Sequence, residues 1–549
     1  MTPSQPRAGR GRPLSVAIIG GGVAGLAAAF QLRDAGLTVT VLEGSPRVGG
    51  KLAVSEVGGI EVDSGAEALL ARRPEGTGLI ADLGLSGELR RPGTTTAGIW
   101  SRGQVRPLPR RQFMGVPADL DEVAATGLLS AEGLARARQD AELAADPADA
   151  GDVSVTQRVG RRLGRELVDR LVEPLLGGVY AGRTEDLSFQ ATLAPLAAAA
   201  PRYRSLSEAA ASLLPAQPAP GAPPAPGAPP ARGGPPALGR NDVVGALTSL
   251  QRRERANHDA GRLAARADSP SQDADGESGG SGVTHGTGPG PAPVFTTLAG
   301  GLGSLPPVLA AASGALVRTK ATVRELARLE HGWRLTIGSA HAPQWLEADA
   351  VILALPARPA GRLLASVPGA SAAAAALGEI QYASMAVVTL AYPPGAFPAE
   401  PRGSGFLVPA VDGHSIKAVT FSTVKWPHLD QAGLHVVRCS LGRLGDEAVL
   451  QRDDADLAAL AAADLAEATG VRGAAADTRV TRWGGGLPQY SVGHLDRVAR
   501  IRAAVAAQPG LAVCGAAYDG VGIPACIASA RLAVDQVLAH LRNREPVSQ

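Results

Sequence analysis

Six consecutive residues, Gly20-Gly21-Gly22-Val23-Ala24-Gly25, constrain this chain more than any other feature. They join a β-branched apolar run, Leu14–Gly20 (LSVAIIG), to a stretch with helical spacing, Val23–Ala35. Gly36 follows where a helix C′ glycine belongs. A G-x-G-x-x-G turn so placed, with a second β-branched run at Leu37–Glu43, predicts a βαβ unit that binds a dinucleotide. Gly20 permits the tight turn, Gly22 lets the backbone approach a pyrophosphate, and Gly25 lets the helix pack on the strand. Gly21, Val23 and Ala24 complete the turn, where the helix N-terminus offers N–H groups and a positive dipole end to phosphates. Glu43 ends the second strand, placed to accept hydrogen bonds from ribose hydroxyls and to repel a 2′-phosphate, which disfavours NADP.

Strand and helix patterns continue beyond this unit. Leu52–Val57 and Ile60–Ser64 flank Gly58-Gly59, a hairpin signal. Residues 75–214 read as mostly helical, with loops at 92–119 and near 148–153. Leu163, Leu167, Leu171 and Leu175 mark one buried helix face, and Arg161, Arg162 and Arg165 read as its solvated side, with an anionic surface or ligand as the alternative. From Pro215 the composition turns to Pro, Gly, Ser and Asp, with a short helix at Asp242–Arg253. Such a segment buries too little apolar surface to fold, so 215–293 reads as a disordered insertion without catalytic residues. Residues 316–356 read as a strand meander ending in Ala350–Leu355, further strands fall within 380–445, Leu511–Cys514 is a last strand, and a helix spans Pro524–Leu541. The expected class is α/β, a Rossmann-like domain assembled from discontinuous segments with a mixed α+β domain and a helical lobe.

Composition removes several function classes. The chain of 549 residues carries 53 Lys+Arg against 51 Asp+Glu, a net charge of +2 that argues against a dedicated nucleic-acid binder. Its three cysteines, Cys439, Cys514 and Cys526, form no C-x-x-C pair, and the nine histidines lack metal-ligand spacing, so no metal site is expected. No apolar run is long enough to span a membrane. Arg7, Arg10 and Arg12 before the apolar run Val16–Phe30 loosely mimic a secretory signal, but glycines interrupt the run and no cleavage site closes it. A cytoplasmic protein is expected.

After Glu43 the chain reads E-x-x-x-R-x-G-G-K through Arg47, Gly49, Gly50 and Lys51. This extension resembles the flavoprotein oxidase superfamily of amine oxidases, phytoene desaturases and porphyrinogen oxidases, which implies FAD rather than NAD. Two glycines would let the chain follow an extended cofactor, with Arg47 supplying charge. More specifically, RVGGKL (47–52), Gly65-Ala66-Glu67, MGVP (114–117), EPLLGGVYAG (173–182), FTTLAGGL (295–302), KWPH (425–428), RWGGGLPQYSVGH (482–494) and GAAYDGVGIPACI (515–527) resemble the oxygen-dependent protoporphyrinogen/coproporphyrinogen oxidase family. The resemblance covers all but the tail and the insertion, and is strongest to the Gram-positive branch that acts on coproporphyrinogen III.

The resemblance implies FAD contacts at Gly20, Gly21, Gly22, Val23, Ala24 and Gly25, at Glu43 and Gly44, at Arg47 or Lys51, at Gly65, Ala66, Glu67 and Ala68, at Val323 and Trp483, and at Val521, Gly522 and Ile523. The Gly65 loop departs from the family pattern, with Ala66-Glu67-Ala68 replacing Pro-Asp/Glu-Ser/Thr. The implied segments are a tail (1–13), FAD-binding parts (14–90, 294–360 and 481–549), a helical substrate or membrane-surface lobe (91–214), the insertion (215–293) and a substrate domain (361–480).

The implied reaction takes six hydrogens from coproporphyrinogen III in three hydride transfers to flavin N5, with O2 as acceptor and H2O2 as product, in haem biosynthesis. No protein side chain is expected to act as catalyst. Arg72, Arg73, Arg106, Arg110 and Arg111 are candidates for the substrate propionates, Arg being suited to bidentate carboxylate contacts. Leu176, Phe406 and Ile416 are candidate apolar walls for the macrocycle. Protoporphyrinogen IX is the alternative substrate; an amine or carotenoid oxidoreductase and a non-catalytic FAD-binding scaffold are the remoter readings. Transient contact with a ferrochelatase or a membrane surface belongs to the same expectation, and the oligomeric state is open.

Overall fold

A computed structural model describes residues 13–144, 151–215, 293–430 and 433–543. The tail expected over 1–13, the insertion expected over 215–293 and the helix expected at Asp242–Arg253 lie outside the described residues, save residues 13, 215 and 293. Five short strands form a parallel sheet in the order Leu316–Arg318, Thr38–Leu42, Ser15–Ile19, Ala350–Leu353, Leu511–Val513. Three separate stretches of chain therefore build one layer. The strands are apolar on both faces because both faces are covered. Val16, Ile18, Val41 and Ile352 pack against the helices Val23–Gln31, Leu305–Ala312 and Ile523–Arg542. The alternate residues Ala17, Ile19, Leu42 and Leu353 meet a three-stranded antiparallel sheet over 323–348 and the helices Ala357–Ala365, Ser371–Gly378 and His494–Ala506.

A second, seven-stranded sheet runs in the order Asp477–Pro488, Tyr382–Tyr392, His435–Leu441, Ile416–Phe421, Gly405–Leu407, Gly98–Ser101, Gln104–Pro107. Its neighbours are antiparallel except the pair Phe406↔Gly98 and Leu407↔Ile99. The helix Asp454–Thr469 buries Leu457, Ala461 and Leu465 in this sheet's core. The hairpin at Gly58-Gly59 forms as expected, with both glycines at positive φ (60° and 78°), the requirement of a two-residue turn whose twist matches its strands.

Five sequence expectations need correction. Residues 316–356 are not one meander: Leu316–Arg318 and Ala350–Leu353 join the parallel sheet, and only the strands over 323–348 pair antiparallel in succession. Residues 98–107, expected within a loop, are an edge hairpin of the seven-stranded sheet; a four-residue strand is too short to show a periodicity. The leucine series 163–175 is not one helix. Gly164 (φ 88°) ends the helix Val155–Leu163, and a π-turn at Val168–Val172 precedes the helix Glu173–Tyr180. Arg162 is not solvated. It is 2% exposed, its Nε donates to Asp140 Oδ1 at 2.5 Å, and its Nη2 donates to the carbonyls of Asp140 and Arg204. Leu176, Phe406 and Ile416 are at most 2% exposed within sealed cores, so they are packing residues rather than cleft walls.

Candidate active site

The glycine turn lies at the carboxyl end of the parallel strands, where ligands of open α/β sheets bind. A methyl group at Gly25 would stand 1.9 Å from the Gly20 carbonyl oxygen, and one at Gly20 2.3 Å from that of Ala354. Both glycines are thus demanded by the protein's own packing. Gly22 differs, because a methyl group there would meet no protein atom within 4 Å. It is the N-cap of the helix Val23–Gln31, and no side chain caps it. Open space beside an uncapped helix N-terminus fits the pyrophosphate of a dinucleotide.

Glu43 closes one end of this cradle. Its Oε2 accepts from the Gly21 N–H at 2.7 Å and its Oε1 from the Ser45 N–H at 2.8 Å, and both oxygens keep lone pairs for a ribose. Thr322 Oγ1 would lie 3.0 Å from a methyl group at Gly44, and Ala321 donates its N–H to the Glu43 carbonyl, which brings Val323 to the same end. Arg47 does not project freely. Its guanidinium donates to the carbonyls of Val48, Gly50 and Leu52 and so shapes the loop that leads to Lys51. That loop abuts the glycine turn, Gly49 donating to Gly21 O at 2.8 Å. Burial lowers the pKa of the Lys51 amine, which lies near the buried thiol of Cys526 in the final helix. Burial pushes that thiol up to about 11, so it is no nucleophile. Lys51 thus lies near the start of the final helix, whose N-cap Gly522 also lacks a side-chain cap. Val521 packs on the helical core.

The loop Gly65–Ala68 borders the same cradle. Ala66 donates to the Lys51 carbonyl at 3.2 Å, and a methyl group at Gly65 would stand 1.9 Å from that oxygen. Trp483 Nε1 donates to Ser64 O at 2.9 Å. Glu67 is held by two cations absent from the sequence expectations. Lys425 Nζ donates to its Oε1 at 2.5 Å and Arg438 Nη1 to its Oε2. The two charges hold the Glu67 carboxyl down at about 2, against burial that pushes it up. Asp63, next to them, accepts from the N–H groups of Leu302 and Gly303, and burial raises it to about 6. Lys425 begins the KWPH segment, a signal that marked the stretch without showing what the lysine meets.

The arginine candidates do not converge. Arg72 and Arg73 are exposed, and Arg73 makes a two-point contact with Glu75 at 3.1 and 2.8 Å. Arg106 Nη1 points to the Thr126 carbonyl at 3.4 Å. Arg110 is exposed, and the Arg111 N–H donates to Glu122 Oε2.

With this geometry in view, the class follows. Residues 23–538 match the model of the flavin containing amine oxidoreductases, and the chain belongs to that family. Among its relatives, the coproporphyrinogen III oxidase of Mycobacterium tuberculosis is 34% identical across 96% of this chain and 98% of its own. The protein of the same name from Bacillus subtilis is 29% identical across 96% and 98%. A solved Exiguobacterium protein, described as a candidate protoporphyrinogen oxidase, superposes with a TM-score of 0.73 at 27% identity over 97% of this chain and 99% of that one.

Proposed function

We propose that this chain is an FAD-dependent oxidase that converts coproporphyrinogen III to coproporphyrin III, with O2 as acceptor and H2O2 as product. The observation that carries this reading is the 34% identity to a coproporphyrinogen III oxidase over nearly the full length of both chains. The cradle supports it from the physical side. When bound, the flavin supplies a two-electron acceptor, used three times per macrocycle. The chain's own residues bind and orient. The turn Gly20–Gly25 and the uncapped helix starts at Gly22 and Gly522 hold the anionic and electron-rich edges of the cofactor. Glu43 and Val323 receive its adenosine end. The Gly65–Ala68 loop and Trp483 lie at the junction with the seven-stranded sheet, which serves as the substrate domain, with helices from residues 155–212 packed beside it. Among the described residues, no helix is long and apolar enough to cross a membrane.

The test is anaerobic. Coproporphyrinogen III added to the holoenzyme bleaches the oxidised flavin band at about 450 nm, and air restores it with release of peroxide. A flavin that coproporphyrinogen leaves oxidised, and that a primary amine or a polyene reduces, overturns the assignment. A higher kcat/KM for protoporphyrinogen IX than for coproporphyrinogen III overturns the substrate.

A further inference from the structure

We propose that Lys425 and Arg438, acting through Glu67, are positioning residues for the flavin: they latch the Gly65–Ala68 loop of the cofactor cradle onto the seven-stranded sheet. The proposal rests on the reading of the cradle as a flavin site. Its first support is connectivity. Glu67 belongs to the loop that abuts Lys51, whereas its two partners belong to the far sheet: Arg438 lies in the strand His435–Leu441, and Lys425 ends the short helix Ser422–Lys425 that packs against it. Arg438 also donates through Nη2 to Gly65 O at 2.7 Å, and Trp483, from an edge strand of that sheet, donates to Ser64 O. Ser64, Gly65 and Glu67 are thus gripped by two side chains of one sheet and by one from the short helix packed on it.

The second support is burial. The side chains of Glu67, Lys425 and Arg438 are 15%, 16% and 9% exposed, so solvent screens their attraction little. The third is what lies behind them. Glu67 and Arg438 line a small cavity together with Thr297, Ser422 and Trp426. Thr297 Oγ1, Ser422 Oγ, Trp426 Nε1 and Arg438 Nε are buried there without a protein partner. Close packing does not hold the Glu67 carboxylate from that side; the ion pairs do. Removing Lys425 therefore loosens the Glu67 end of the loop, where only Arg438 still meets the carboxylate, and leaves the loop one unit more negative, which disfavours the electron-rich reduced cofactor that it borders.

The experiment compares Lys425→Met and Lys425→Arg with wild-type holoenzyme, well below their melting temperatures. FAD release is followed by flavin fluorescence, and the midpoint potential by dye equilibration. No porphyrinogen enters either measurement, so failure of the latch is distinguishable from failure of the substrate assignment. For Lys425→Met we expect FAD release at least tenfold faster, and a potential lower by about 30 mV, a tenfold change in the ratio of reduced to oxidised flavin for a two-electron couple. Lys425→Arg restores both to within threefold. A folded Lys425→Met with wild-type FAD release and potential overturns the proposal. Should Lys425→Met not accumulate as folded protein, Glu67→Asp is measured instead, since it keeps the charge but withdraws the carboxylate. FAD release tenfold faster in that variant supports the latch, and unchanged release overturns it.

Discussion

At the glycine turn, the groups offered to a ligand are backbone N–H donors, and the nearby side chains are mostly too small to intrude. At the seven-stranded sheet the interior carries charge: Arg438 between Glu67 and the Gly65 carbonyl, and Lys417 near Glu173 and Arg443. A backbone site tolerates few substitutions because its glycines either have no room, as at Gly20 and Gly25, or leave room that a ligand needs, as at Gly22. A charged interior tolerates few because each ion depends on a partner. The two regions should therefore fail differently.

The largest effect is expected at the charged junction. Glu67→Gln leaves Lys425 and Arg438 without their shared carboxylate and should cost about 3–5 kcal/mol, measured by denaturant unfolding at pH 7. The same variant should change the acid limb of stability. The Glu67 carboxyl titrates lower in the folded chain than its ordinary 4.5, so its contribution is present above that value and is lost as the pH falls toward about 2. Wild type should show that loss, and Glu67→Gln a flatter profile between pH 4.5 and 2.

Next come two glycines that look alike in sequence. Gly25→Ala sets a methyl group against the Gly20 carbonyl and should cost about 3 kcal/mol, the upper part of the usual overpacking range, with or without cofactor. The Cβ of Gly22→Val meets no protein atom within 4 Å, so the apoprotein should unfold within about 1 kcal/mol of wild type, while FAD binding is lost. Full flavin occupancy in purified Gly22→Val would remove the cradle from the site.

Lys417 supplies a smaller effect of opposite sign. It is 2% exposed, its Nζ has no hydrogen-bond partner in the structure, and burial lowers it from 10.5 to about 7. The unfolded chain then binds more protons than the folded one between those values, so stability should rise with pH from about 7 to 10.5. Lys417→Met should stabilise the protein at pH 7 by about 1–3 kcal/mol and flatten that rise, as seen in melting temperatures across the range. The smallest effect is expected on the surface. Arg73→Ala breaks only the exposed pair with Glu75 and should shift stability by less than about 1 kcal/mol. A tenfold fall in kcat/KM for coproporphyrinogen, with little change for protoporphyrinogen, would return Arg73 to the substrate site despite its contact with Glu75.

How legible these regions were follows from how local their causes are. The strand Ser15–Ile19, the turn, the helix Val23–Gln31 and Glu43 form one contiguous unit, and a ligand cradle made of backbone is written in glycine spacing. The final helix was equally plain, expected at Pro524–Leu541 and found at Ile523–Arg542. The twelve-residue strand Asp477–Pro488, which carries Trp483, was not expected, because three consecutive glycines hide its alternation. Arg162 and Asp140 are 22 residues apart, and nothing in either position announces a buried pair.

The sequence by itself determined the first βαβ unit, its glycine turn and the family, because each depends on residue types at short, regular spacings. The tertiary structure alone decided which charges are buried and against what. Glu67 meets Lys425 and Arg438 across separations of 358 and 371 residues. Only the docking of two sheets sets those distances, and the strength of such a pair depends on the water that the docking removes.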